Sequence, residues 1–226
     1  MQNIASNKPL NSVAKTSVRQ LLSAIFALVS LLAAPSTVWA TTILGMDIDA
    51  VAKDAELIFE GEVVQHDTQL DNRSGIVNTF VTFAVNDVIN GEYSGNLLEL
   101  KFTGGVHNGQ IVEVSGLTIP AVGERGIYFV ESISEDLINP LLGWSQGHFV
   151  ILEENGERRV HTVDQQPVTD VMPVSSIPPA IKKPLDLIEG NSDAAVGVLT
   201  EVNALSVERA MTVDSFKTRI LEIIEN

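Results

Sequence analysis

The chain has no cysteine among its 226 residues. That excludes a thiol nucleophile, a cysteine-ligated zinc site and thioether-linked haem, and it leaves stability to the hydrophobic core alone. Positive charge is also scarce, with 14 Lys and Arg against 29 Asp and Glu and a formal net charge of −15. A field of that sign repels phosphate backbones and anionic lipid, so nucleic acid is not expected as a partner. It suits solubility, a cationic partner or divalent cations. There is no glycine-rich phosphate loop, no dinucleotide fingerprint, no internal repeat and no low-complexity tract. The longest apolar run falls short of the ~20 residues that a membrane span requires.

That run belongs to the leader. Lys8, Lys15 and Arg19 form a basic segment without acidic residues, and LLSAIFALVSLLA, Leu21 to Ala33, follows as an apolar core of signal-peptide length. Pro35 breaks it, and Val38-Trp39-Ala40 presents small or branched residues at the recognition positions, so cleavage is expected between Ala40 and Thr41. The expected compartment is extracytoplasmic, periplasmic or secreted. No cysteine follows to carry a lipid and no apolar tail follows to anchor the chain, so no membrane attachment is expected after cleavage. Loss of three basic residues and no acidic ones makes the mature chain more acidic still.

What remains reads as β. In VNTFVTFAVNDVING, Val77, Val81, Phe83, Val85 and Ile89 alternate onto one side, the period-two pattern of a half-buried strand. AELIFEGEVVQ, Ala55 to Gln65, is a second strand, bent at Gly61, and His66 to Gly75 is a polar loop. Further strands are expected at Leu97–Phe102, Gln110–Ser115, Ile127–Val130 and His148–Glu153. Asn155-Gly156 is a hairpin signal that returns the chain through Glu157–Val163. The IYFV run is continuous enough to be buried on both faces. Thr41 to Asp54 is expected to be a short helix with Met46, Ile48 and Val51 on its apolar side. Five prolines between Pro167 and Pro184 mark 165–211 as linker or wrapping chain. Thr212 to Ile224 is expected to be a helix capped by Thr212, with Phe216, Ile220 and Ile223 or Ile224 as its stripe and Leu221 widening it. The expected fold is mainly β: a small antiparallel OB-like barrel at 41–164, a short N-terminal helix and a C-terminal helix at 212–226.

The order of local motifs resembles an uncharacterised group of exported bacterial domains. The matching letters are Ala55 to Val63, Thr79 to Gly91, Gly104-Gly105, Val122 to Phe129, and Gln146 to Phe149, together spanning roughly Met46 to Val163. Asn90 stands where the pattern has Lys, and Ala55-Glu56 where it has Ala-Asp. The resemblance implies a fold and a compartment, not a reaction.

Three chemistries can be weighed. Gly143-Trp144-Ser145-Gln146-Gly147 matches G-x-S-x-G, but a nucleophile elbow joins a buried strand to a helix, and this one leaves a loop for a strand. Ser145 is therefore a weak catalytic candidate. His66, His107, His148 and His161 show no ligand spacing, so a metal site would need convergence from separate strands. Asp67, Asp71 and Asn72 in one loop, and Asp47, Asp49 and Asp54 in another, offer oxygens to calcium without the spacing of a calcium loop. The expected function is a non-enzymatic binding or accessory module for a protein or saccharide partner. Its candidate binding loops hold Gly104, Gly105, Trp144, Gln146, Gly147 and His148. A secreted hydrolase using Ser145 or a histidine metal site is the alternative, and an inhibitor-like domain for a secreted protease is a third.

Overall fold

The computed structural model describes residues 42–176, 187–189, 194–201 and 209–226. The expected leader and its cleavage site at Ala40 and Thr41 lie outside them, as do 177–186, 190–193 and 202–208 of the proline-rich stretch.

Two long strands form the centre. β2 (Leu57–Leu70) and β3 (Val77–Asn90) are each 14 residues long and pair antiparallel. β4 (Leu97–Thr103) continues beyond β3. On the other side of β2 lie β7 (Arg125–Val130), β8 (His148–Glu154) and β9 (Glu157–Thr162), giving the order β4-β3-β2-β7-β8-β9 with every neighbour antiparallel. Three register shifts interrupt the pairing of β2 with β3, one of them between Glu60 and Gly61. A Cβ at Gly61 would lie 2.8 Å from the Phe59 ring and 2.9 Å from Ala84 O, so only glycine lets the bent strands approach this closely.

Because successive strand residues point to opposite faces, the sheet carries two cores. One face holds Phe59, Val63, Phe83, Phe102, Tyr128 and Leu141; the other holds Ile58, Ile127, Phe129, Phe149 and Val160 under the two helices. All four residues of the IYFV run are fully buried, two on each face. Among the described residues β4 and β9 do not pair, and no closed barrel forms. The concave face is filled instead from connections, by Leu141 and the half-buried Leu117 and Ile119.

Several boundaries differ from expectation. The lead-in is not one helix: β1 (Thr42–Leu44) pairs with β11 (Leu187–Glu189), and only α1 (Ile48–Asp54) is helical. β-branched Thr42 and Ile43 favour a strand once a partner is present, and Asp47 stands at the N-cap position without a side-chain cap bond. The polar stretch after Gln65 is not loop but the outer half of β2, paired through to Leu70. The Gln110–Ser115 strand is shorter, β6 (Gln110–Val112), and forms a hairpin with β5 (Gly105–His107). Within 165–211, β10 (Val168–Val171) pairs with β12 (Val198–Thr200), and Val168, Val171 and Ala195 enter the core.

The C-terminal helix, α2 (Val213–Glu225), starts as its sequence requires, with Thr212 Oγ1 accepting from Ser215 N. Phe216, Ile220 and Ile223 are buried, and the Phe216 ring lies 4.8 Å from that of Phe149. Leu221 does not widen the stripe; it is exposed. A charge cluster fixes the helix to the sheet. Lys217 Nζ reaches Glu60 (2.5 Å) and Asp87 (2.8 Å), while Arg158 Nη1 lies 2.5 Å from Glu60. Burial would lower the Lys217 pKa, but the hydrogen bonds and charges of Asp87 and Glu60 outweigh it and hold the ammonium above its ordinary value.

Candidate functional site

The G-x-S-x-G letters form a tight turn. Gly143 and Trp144 both take left-handed backbone angles (φ 63° and 61°), and a 3-10 turn, Trp144–Gly147, leads into β8. Ser145 is buried, and its Oγ has no hydrogen-bond partner. No base activates it. His148, three residues on, is engaged elsewhere, and the turn opens into a strand where an elbow needs a helix. Ser145 is thus not presented as a nucleophile.

Gln146 has a different task. Fully buried, it accepts from Met46 N through Oε1 (2.6 Å) and donates through Nε2 to Leu44 O and Gly143 O, each at 3.1 Å. It staples the segment before α1 to the turn. A Cβ on Gly147 would run into Leu142 O and sit 3.2 Å from Phe129 Cβ, so the second glycine is required by packing. Trp144 is half-buried at this turn.

The most organised cluster of titratable groups lies on the adjoining strands. Glu124 closes the turn before β7, Tyr128 points into the core from β7, and His148 begins β8. Glu124 Oε1 accepts from His148 Nε2 (2.6 Å) and from Tyr128 Oη (3.2 Å), and Oε2 accepts from Ala121 N (3.2 Å). Burial would raise the carboxyl pKa, but the His148 hydrogen bond and charge, with the Ala121 and Tyr128 bonds, more than offset it and hold Glu124 below its ordinary range. The Tyr128 phenol is driven far above its ordinary value, first by burial and then by the Glu124 charge. The triad resembles an acid–base unit in its parts, but His148 is 1 % exposed and Tyr128 fully buried, so no substrate atom can reach them. It locks a turn. His66 Nε2 on Pro120 O (2.7 Å), Gly123 N on Val63 O (2.8 Å) and Val63 N on Glu124 O (2.9 Å) hold the same turn.

The other histidines do not converge on this cluster. His107 contacts Asn108, and His161 Nε2 lies 3.3 Å from Glu154. Among the described residues no three His, Asp or Glu side chains are placed to hold a metal ion. Of the acidic residues offered to calcium, Asp71, Asp67 and Asp49 accept hydrogen bonds from the chain itself, while Asp47 Oδ1 is buried without a partner. Asp71 takes the Arg73 amide and the Ser74 hydroxyl, which hold its carboxyl below the ordinary value. Asp67 accepts from Gln69, and Asp49 accepts from Val174 N.

The two sets of candidate binding residues are not brought together. Gly104 and Gly105 lie beside the outer end of β2, where Thr79 Oγ1 donates to Gly104 O (2.7 Å) and a Cβ on Gly105 would collide with that hydroxyl. The 143–148 turn sits at the inner end of β2, against Met46 and Phe129. Gln146, Gly147, His148 and Gly104 are buried, whereas Gly105 and Trp144 are half-buried.

A group of exposed aliphatic residues lies just beyond the glycine pair. The β5–β6 hairpin and the irregular segment 113–119 enclose a cleft of about 650 Å³. Val106 and Ile111, directly paired across the hairpin, are 60 % and 68 % exposed, and Val112 is 37 % exposed. Sequence reading reached one wall of this cleft, through Gly105, but missed its segment 111–119 and the Glu124 cluster. The signals in the letters were an apolar alternation, QIVEV, too short to fill a sheet, and a lone Glu shortly before a fully apolar strand.

No protein-family model, curated protein or solved structure matches the chain.

Proposed function

We propose that the protein is an exported, non-enzymatic binding module, and that its contact surface is the cleft between the β5–β6 hairpin and residues 113–119. The observation that carries this reading is the trio Val106, Ile111 and Val112, held in water on a short two-stranded arm around an open cleft of about 650 Å³. Grouped exposed aliphatic residues around a concavity mark contact sites more than scattered ones do. The burial of Ser145 and the inward engagement of Gln146, His148 and Glu124 support the non-catalytic half of the reading. The same proposal keeps the OB-like description and the exported bacterial group, supported by the core that β2, β3 and β4 share around Phe59 and Tyr128 and by the leader pattern.

The experiment is capture of partners from the exported fraction by the native protein and by Ile111→Asp and Trp144→Ala variants. A partner retained by the native chain and by Trp144→Ala but lost with Ile111→Asp supports the cleft. A partner lost only with Trp144→Ala moves the surface to the 143–147 turn and overturns the assignment.

A further inference from the structure

Resting on that reading, the geometry points to the occupant: we infer that the cleft takes an extended polypeptide segment in which aliphatic side chains alternate with Lys or Arg. Three observations carry it. First, among the described residues β6 pairs with β5 alone, so the arm offers a backbone edge of the kind that accepts an added strand. Second, Val106 and Ile111 share a face at directly paired positions, which provides an apolar seat for every second side chain of such a strand. Third, the one charged side chain in the cleft lining is acidic.

From Gly104 to Glu124 the chain contains no Lys or Arg, while Glu113 stands exposed in the cleft wall. The cations nearest in sequence are already committed: Lys101 pairs with Asp136, and Arg125 Nε lies 3.0 Å from Glu62. A carboxylate entering the cleft meets Glu113, the one charged side chain of its lining, and a net charge of −15 extends that repulsion to the approach. A cation meets Glu113. An added strand that presents its aliphatic side chains to Val106 and Ile111 directs the alternate ones outward, where basic groups gain from this field.

The test uses three labelled octapeptides with blocked ends, alternating Val/Lys, Val/Glu and Ser/Lys, titrated into the purified protein by fluorescence anisotropy at low and moderate salt. The Val/Lys probe is expected to bind at least about tenfold tighter than the other two, since it alone meets both the apolar seat and the field. Ile111→Ser is expected to weaken it by ~10-fold or more, with circular dichroism unchanged because the side chain is exposed. Glu113→Gln is expected to weaken it by about 2- to 5-fold and to flatten its salt dependence, as for a screened surface charge.

Equal binding of Val/Glu, still lost with Ile111→Ser, overturns the cationic occupant and leaves the cleft as the contact surface. Ser/Lys binding as tightly as Val/Lys reduces the effect to non-specific charge and overturns the inference. Absence of binding by any probe overturns both the occupant and the polypeptide-binding cleft.

Discussion

Replacement of Glu124 separates a structural lock from a decorative contact. Its carboxylate receives three donors, from His148, Tyr128 and the Ala121 amide. Each buried donor left without an acceptor costs ~1–3 kcal/mol. The Glu124 side chain itself is 17 % exposed, so water can replace part of what Glu124→Ala removes, chiefly toward the Ala121 amide. The expected cost is about 3–5 kcal/mol, the range for removing one member of a buried pair. Glu124→Gln retains an acceptor oxygen and loses only the charge assistance, so about 1–2 kcal/mol is expected. Urea unfolding at pH 7, followed by Trp144 emission and by circular dichroism, measures both.

The sign of the pH dependence follows from the lowered Glu124 pKa. The unfolded chain binds this proton more readily than the folded one. The contribution is therefore complete above the ordinary glutamate value of 4.5 and is lost as pH falls through the lower folded-state value. The stability gap between native protein and Glu124→Gln should accordingly shrink below about pH 4.5. A Glu124→Ala cost under ~1 kcal/mol, or a gap that widens on acidification, would refute the lock.

Gln146→Ala removes three hydrogen bonds from a side chain with no access to water and should cost roughly 2–4 kcal/mol, read as a fall in Tm, with faster exchange of the Met46 amide. Ser145→Ala removes a buried hydroxyl without a partner, so stability should stay unchanged or rise by up to ~1 kcal/mol; a larger loss would reveal a role that the geometry does not support. Ile220→Ala should destabilise by about 2–5 kcal/mol in the same unfolding assay, and Leu221→Ala by less than ~1. Similar costs at the two positions would mean that α2 packs in a different rotation.

Legibility in the sequence follows solvent contrast. Val77–Asn90 is readable because one of its faces is core and the other partly wet along much of its length, so alternation survives in the letters. Phe216, Ile220 and Ile223 are readable for the same reason at helical spacing. Asn155-Gly156 is readable because both residues must adopt positive φ, 53° and 80°. His66 to Leu70 is not, because that half of β2 pairs with β3 as a ribbon that leaves most of its side chains at least partly in water and imposes no apolar period. β1 is not, because its partner, β11, lies near the other end of the chain. Barrel closure is a relation between the outermost strands that no local pattern encodes. Here the concave face obtains its cover from Leu141, Leu117 and Ile119.

The letters that carry the resemblance have tasks that need no ligand. Gly105 of the glycine pair allows close approach to Thr79, and Gly61 allows the bend against Ala84. Glu124, from the V-G-E letters, ties its turn to His148, and Gln146 and Gly147 fix the segment before α1 and the Phe129 contact. Each is engaged by its own fold, which is why motif reading points to Ser145 and His148 and finds positions closed to solvent. Val106, Ile111, Val112 and Glu113 belong to none of those motifs. They stand on an arm that projects beyond Gly105, where substitutions cost the core little. The recognisable letters face inward, while Val106, Ile111, Val112 and Glu113, which carry no motif, line the cleft, so under the proposed reading selectivity falls to them.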